Sequence, residues 1–127
     1  MLSVISIDKS YEGQPLLKGV SFSVDENETV CLLGPSGSGK STLLRIIAGL
    51  EEPEGGDVHW KHASLAGIPT HKRRFGLMFQ DYALFPHRNV AENIAFGLKM
   101  QNLPVDEINA RVERALETIG MAGFAQR

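Results

Sequence analysis

Gly34-Pro35-Ser36-Gly37-Ser38-Gly39-Lys40-Ser41-Thr42 is the stretch whose reading decides the fold of this chain. It fits the pattern G-x-x-x-x-G-K-[ST] without a mismatch. The apolar run Val30-Cys31-Leu32-Leu33 leads in and reads as a buried strand, and Leu43-Leu44-Arg45-Ile46-Ile47-Ala48 leads out as a helix. Strand, glycine-rich loop and helix in that order make a phosphate-binding unit for physical reasons. Gly34, Gly37 and Gly39 let the backbone turn tightly, so that successive N–H groups face inward as an anion nest. A helix starting near Gly39 adds the equivalent of about half a positive charge at its N-terminus. Lys40 brings a point charge with the reach of a β- or γ-phosphate. Ser41 brings a hydroxyl suited to Mg²⁺, and Thr42 is placed to bond a phosphate oxygen. The expectation is a nucleoside triphosphate bound with Mg²⁺ by the nine residues from Gly34 to Thr42.

Upstream, Leu2 to Ile7 is strand-like, and turn signals follow in Glu12-Gly13-Gln14-Pro15. A second strand is predicted over Val20 to Val24, with Val20, Phe22 and Val24 on one face. Asp25 to Glu28 is a polar turn. The chain thus opens with a small antiparallel layer before an α/β unit. Tyr11 falls in the connection between the first two strands. Spacing alone leaves it as a surface aromatic, a hairpin plug, or a ring that stacks on a nucleotide base.

Downstream, Gly49 to Gly56 carries the glycine and proline punctuation of a helix stop. Asp57 to Trp60 reads as a short strand, Lys61 to Thr70 as loop, and Phe75 to Phe79 as another buried strand ending at Gln80. Ligands of open α/β sheets bind at the carboxyl ends of strands, so Gln80 is a candidate to face the site of Lys40. It is equally an ordinary polar exit residue. Asn89 followed by Glu92 forms a capping box for a helix over Val90 to Met100, with Val90, Ile94 and Leu98 on one face. Pro104 starts a further helix whose stripe is Ile108, Val112, Leu116 and Ile119, stopped by Gly120.

Composition narrows the field. The chain has 127 residues, enough for one domain or part of one, with 43% hydrophobic and 22% charged residues. A net charge of −2 and the lack of a basic stripe argue against a nucleic-acid partner. The run His71-Lys72-Arg73-Arg74 is read as a solvated loop. Cys31, the single cysteine, is read as a small core residue, and it rules out an internal disulfide framework. His59, His62, His71 and His87 have no zinc-like spacing. No signal peptide and no apolar run of about 18 residues is visible, so work at a membrane would require docking through a partner.

Three stretches together resemble the ATP-binding subunit of ABC transporters, over essentially the whole of Leu2 to Arg127. They are the phosphate loop continuing through Gly49-Leu50, Met78-Phe79-Gln80-Asp81-Tyr82-Ala83-Leu84-Phe85-Pro86-His87, and Val90 to Leu98. The resemblance implies a RecA-like P-loop NTPase core with an N-terminal antiparallel β subdomain, residues 1–127 forming the N-terminal part of the nucleotide-binding domain. It implies that Tyr11 stacks on adenine, that Ser41 and Gln80 contact Mg²⁺, and that Gln80 positions the attacking water. It implies a permease contact from Gln80 to His87, a second nucleotide-binding subunit as homodimer partner, and a solute-binding protein in the complex. The place would be cytoplasmic, peripheral on the inner face of the cell membrane. The wording of Tyr82 to His87 resembles importers of polyamines, ferric iron, sulfate or sugars.

Departures from the family pattern are as informative. Asn27 stands where the family usually carries Gly. The Leu-Ser-Gly-Gly-Gln signature, the strand ending in a magnesium-associated Asp and the catalytic Glu, and the switch His have no counterpart in the 127 residues. The chain is therefore expected to be a piece truncated before the signature, with an exposed apolar edge where central strands are missing. Alone, if folded, it would bind ATP weakly and not hydrolyse it, while the full-length protein would be the ATPase that powers import. The alternatives are a soluble ABC-type ATPase or a non-hydrolysing nucleotide-binding module.

Overall fold

The computed structural model describes residues 1–127 and divides into two compact units, Met1–Leu77 and Met78–Arg127. In the first unit, β1 (Leu2–Tyr11) and β2 (Gln14–Val24) form a long antiparallel hairpin. The turn is only Glu12-Gly13, tighter than the punctuation suggests. Both residues have positive φ, 51° and 76°, and the twist of such a turn matches that of the flanking strands. Tyr11 pairs with Gln14 across it, so Tyr11 is the last residue of β1 rather than a loop residue. β3 (Gly55–Trp60) pairs antiparallel with the other edge of β1, and the two-residue β4 (Ala63–Ser64) follows, giving the order β2-β1-β3-β4.

Strict alternation fails in β1 for a visible reason. Val4 and Ile7 are three residues apart, yet both are buried. The register with β2 shifts between them, and Ser6 takes a left-handed φ of 47° with its N–H on Ser21 Oγ at 2.7 Å. This bulge returns Ile7 to the inner face. There it meets α1 (Lys40–Ala48) in a core of Val4, Ile7, Leu17, Leu43, Ile46, Val58 and Leu65. Gly49 ends α1 in the left-handed region, its N–H reaching the carbonyls of Arg45 and Ile46. The short helix α2 (Thr70–Arg73), not foreseen from the sequence, lies within the segment read as solvated loop.

Two predicted strands do not pair. Val30–Leu33 and Phe75–Phe79 run without ladder partners. Leu32 and Phe75 pack on the core, whereas Leu33 is 92% and Met78 81% exposed. Cys31 is likewise exposed, not a core residue. A strand is stable only when neighbouring strands take its backbone groups, and the four-stranded sheet includes neither segment, although Leu32 and Phe75 have side-chain cover.

The second unit is helical. α3 (Val90–Met100) starts at Asn89, whose side chain accepts from Glu92 N–H while Glu92 reaches back to Asn89 N–H, the reciprocal box the sequence predicts. α4 (Val105–Thr118) buries Ile108, Val112 and Leu116 against Ala95 and the inner side of α3. Ile119 leaves the stripe: it caps the helix with φ −103° and stands in solvent. No helix of the chain is long and apolar enough to cross a membrane.

Candidate functional site

The loop before α1 is curled around the ammonium of Lys40. Lys40 Nζ donates to the carbonyls of Gly34 and Pro35, each at 2.7 Å, and to Ser38 Oγ at 3.1 Å. A Cβ on Gly34 would lie 2.8 Å from Ser38 Oγ, so a larger residue there would push aside the hydroxyl that accepts from Lys40. Gly39 has φ +94°, and a Cβ there would lie 2.7 Å from Leu17 Cδ2. The residue preceding the helix thus combines a left-handed turn with close approach to the β1–β2 hairpin.

The donors of this loop fit a phosphate chain. The amides of Gly39, Lys40, Ser41 and Thr42 have no backbone acceptor in the chain, and no side chain caps the helix. Helices commonly carry Ser, Thr, Asp or Asn at that position to take such donors. Here the donors stay available beside a fixed ammonium. Thr42 is only 7% exposed, while Ser41 is exposed, so the two hydroxyl-bearing residues differ in access.

Tyr11 is held rather than free. Its hydroxyl donates to Glu51 Oε1, and Lys9 Nζ lies 5.5 Å from the ring centroid, over one face. Lys9 Nζ also lies 3.4 Å from Glu51 Oε1 and donates to the Glu52 carbonyl at 2.9 Å. The Tyr11 hydroxyl is the strongest influence on the Glu51 carboxyl and, with Lys9 and Arg45, holds it below the ordinary carboxylate range against the upward push of burial. Tyr11 itself is 45% exposed.

Gln80 belongs to the second unit, Met78–Arg127, where it opens an exposed turn and not the end of a paired strand. The turn it opens is unusually shaped. Tyr82 and Ala83 both have left-handed φ, 61° and 47°, and Tyr82 N–H bonds the Phe79 carbonyl at 3.0 Å. Tyr82 and Leu84 project into solvent. Behind them, Phe85 stacks on Phe96 at 4.7 Å, and the Arg88 guanidinium lies 4.8 Å from the Phe85 ring.

Sequence reasoning missed three residues that shape these surroundings. Glu51 fixes Tyr11, as above. Arg73 reads in the sequence as one of a basic run, yet its guanidinium reaches the Ile46, Ile47, Leu65 and Ile68 carbonyls. Asn93 reads as an ordinary helix residue, yet its side chain accepts from Phe85 N–H at 2.9 Å and donates to the carbonyls of Phe85, Arg88 and Asn89. The only signal was the residue type: an amide can satisfy donors and acceptors of an irregular turn at once. Asn93→Ala should therefore loosen the turn at a cost of about 2 kcal/mol, while α3 persists. Faster hydrogen exchange at Phe85 N–H with unchanged helical circular dichroism is the expected measurement.

Comparison with known proteins agrees with the geometry. A family profile described as "ABC transporter" matches residues 17–127. The spermidine/putrescine import ATP-binding proteins PotA of Mycoplasma capricolum subsp. capricolum and of Mesoplasma florum are 43% and 42% identical to this chain over 127 residues. In both cases the match covers all of this chain and 36% of the relative, so the chain spans about a third of their length. A solved ATP-binding cassette, a dimer in a post-hydrolysis state bound to ADP and Pi, superposes with a TM-score of 0.87 at 29% identity. That match covers all of this chain and 61% of the solved one.

Proposed function

The chain belongs to the ABC transporter family, and from that premise we propose that it is the nucleotide-binding N-terminal part of an importer's ATPase subunit. The observation that carries this reading is the set of unpartnered amides from Gly39 to Thr42 around the fixed Lys40 ammonium. In the proposed complex the phosphates of ATP lie on those amides, and the loop residues Gly34 to Ser38 wrap them. Lys40 exchanges its carbonyl partners for β- and γ-phosphate oxygens, a stronger charge-assisted pairing. Ser41, exposed at the first turn of α1, offers its hydroxyl to Mg²⁺, which would supply charge neutralisation on the phosphates. Gln80 is the second metal and water contact, and Tyr11 receives the adenine ring.

Hydrolysis is proposed for the full ATPase subunit, acting with a second copy. The 127 residues hold the cradle, and the base that activates water is expected outside them. The PotA relatives make polyamine the favoured cargo class among those the sequence suggested. Permease subunits are proposed to dock on the exposed turn from Gln80 to His87, with a solute-binding protein completing the complex on the other side. The protein would then sit at the cytoplasmic face of the membrane through its partners.

The test is calorimetric titration of the 127-residue chain with ATP and Mg²⁺, beside a turnover assay. Saturable binding without turnover is expected, and absence of binding or sustained Lys40-dependent turnover overturns the reading. In the assembled transporter, Gln80→Ala should leave ATP affinity nearly unchanged and slow hydrolysis by roughly one to two orders of magnitude, since only the nucleophile loses its positioning. A large loss of affinity instead would make Gln80 a structural residue.

A further inference from the structure

We propose that Glu51 is a positioning residue for the nucleobase, holding the Tyr11 ring in the attitude in which a planar base stacks on its open face. The inference rests on the nucleotide reading above and concerns how base and phosphate recognition are tied together. Tyr11 is exposed at the tip of a hairpin, where a tyrosine would ordinarily sample several rotamers and lose entropy on stacking. Here its hydroxyl is fastened to Glu51, and Lys9 covers one ring face. The residue is still 45% exposed, so surface remains for a ligand on a ring whose hydroxyl is already tied.

The fastening is itself anchored. Glu51 follows directly on the helix stop of α1, where Gly49 turns left-handed and Leu50 N–H bonds the Arg45 carbonyl at 2.9 Å. The chain then runs stitched along β1. Lys9 holds the Glu52 carbonyl, Glu54 N–H bonds the Asp8 carbonyl at 2.9 Å, and Ser10 bonds the Glu54 carboxylate. Lys9 and Glu51 side chains are only 16% and 20% exposed, so the tie is no loose surface pair. One end of α1 therefore presents the phosphate-binding amides, and the other end carries the residue that sets the ring. The hairpin closes the frame, because Leu16 and Leu17 occupy the space a Cβ on Gly39 would need, while Lys9, opposite Leu17, lies about 7 Å of strand from Tyr11.

The experiment compares ATP with inorganic triphosphate, a ligand that has the phosphates and lacks the base, on the 127-residue chain with Mg²⁺. The ratio of the two affinities isolates the base contact and is insensitive to the loop. Wild type should prefer ATP, and Tyr11→Ala should cut that preference about fivefold to tenfold, the size of a partly exposed stacking contact. Glu51→Ala and Tyr11→Phe should each cut it by most of the same factor, although Tyr11→Phe keeps the aromatic ring. Glu51→Gln, which retains an acceptor for the phenol, should restore most of it, and the Glu51→Ala, Tyr11→Phe pair should lose no more than either alone. Triphosphate affinity should stay constant throughout. An unchanged ratio in Glu51→Ala beside a reduced one in Tyr11→Ala overturns the positioning role. Equal loss of both ligands in Glu51→Ala makes Glu51 a support of the loop and overturns it too. Failure of wild type to bind either ligand defeats the nucleotide reading itself.

Discussion

Replacing Lys40 with alanine should lower the affinity of the chain for ATP by at least about a hundredfold, with the helix content unchanged. Two losses combine. The ammonium that would face the β- and γ-phosphates disappears, and so do the pins from Nζ to the Gly34 and Pro35 carbonyls that keep the loop curled. The helix should survive because alanine is the best helix former and because Leu43 and Ile46 still bury against the hairpin. Lys40→Arg is the sharper variant. It keeps the charge, but a planar fork cannot occupy a pocket closed by two carbonyls and Ser38 Oγ on a single ammonium. Arginine should therefore bind ATP nearly as poorly as alanine. Calorimetry with far-ultraviolet circular dichroism checks both, and ATP affinity unchanged in Lys40→Ala refutes the phosphate assignment.

That site was legible in the sequence because its chemistry is local. Tight turns, free amides, ammonium and hydroxyls from Gly34 to Thr42 depend on neighbours within nine positions, so a linear pattern contains them. The same holds for the capping box of Asn89 and Glu92 and for the stripe of Ile108, Val112 and Leu116. Val30–Leu33 and Phe75–Phe79 failed as strands because their apolar character records partners that pattern alone cannot supply. The exposure of Cys31 follows from the same shortfall. The extension of the hairpin to Tyr11 and Gln14 turned on φ values at Glu12 and Gly13, which the punctuation located without delimiting. Glu51, Asn93 and Arg73 were hidden for a third reason. Each acts on groups 4 to 40 residues away through a side chain whose type is unremarkable on a polar surface.

Arg73 provides the second large effect. Arg73→Leu should destabilise the first unit by about 3 kcal/mol, because the guanidinium makes charge-assisted bonds that a leucine cannot replace. Nη1 donates to the Ile46 and Ile47 carbonyls at 3.1 and 2.9 Å at the C-terminal end of α1, adding a second donor to the Ile46 carbonyl that Gly49 N–H already reaches. Nε donates to the Ile68 carbonyl at 2.8 Å and Nη2 to the Leu65 carbonyl at 3.0 Å, so one side chain fastens the helix to the segment after β4. Burial is the main influence on the group and pulls its pKa below the usual arginine value, partly offset by Asp57. Arg73→Lys would keep the charge with a single rotating head in place of the fork, so an intermediate loss is expected. Lys72→Ala, one residue away and exposed, should change stability by no more than about 0.5 kcal/mol. Trp60, the only tryptophan, stacks edge-on against Phe75 at 5.4 Å in this unit, so its fluorescence during urea unfolding reads the change directly. If Arg73→Leu and Lys72→Ala shift the midpoint equally, the guanidinium is no pin. If only Arg73→Leu does, the same variant should also weaken ATP binding, because the helix it secures carries the proposed phosphate site at its other end.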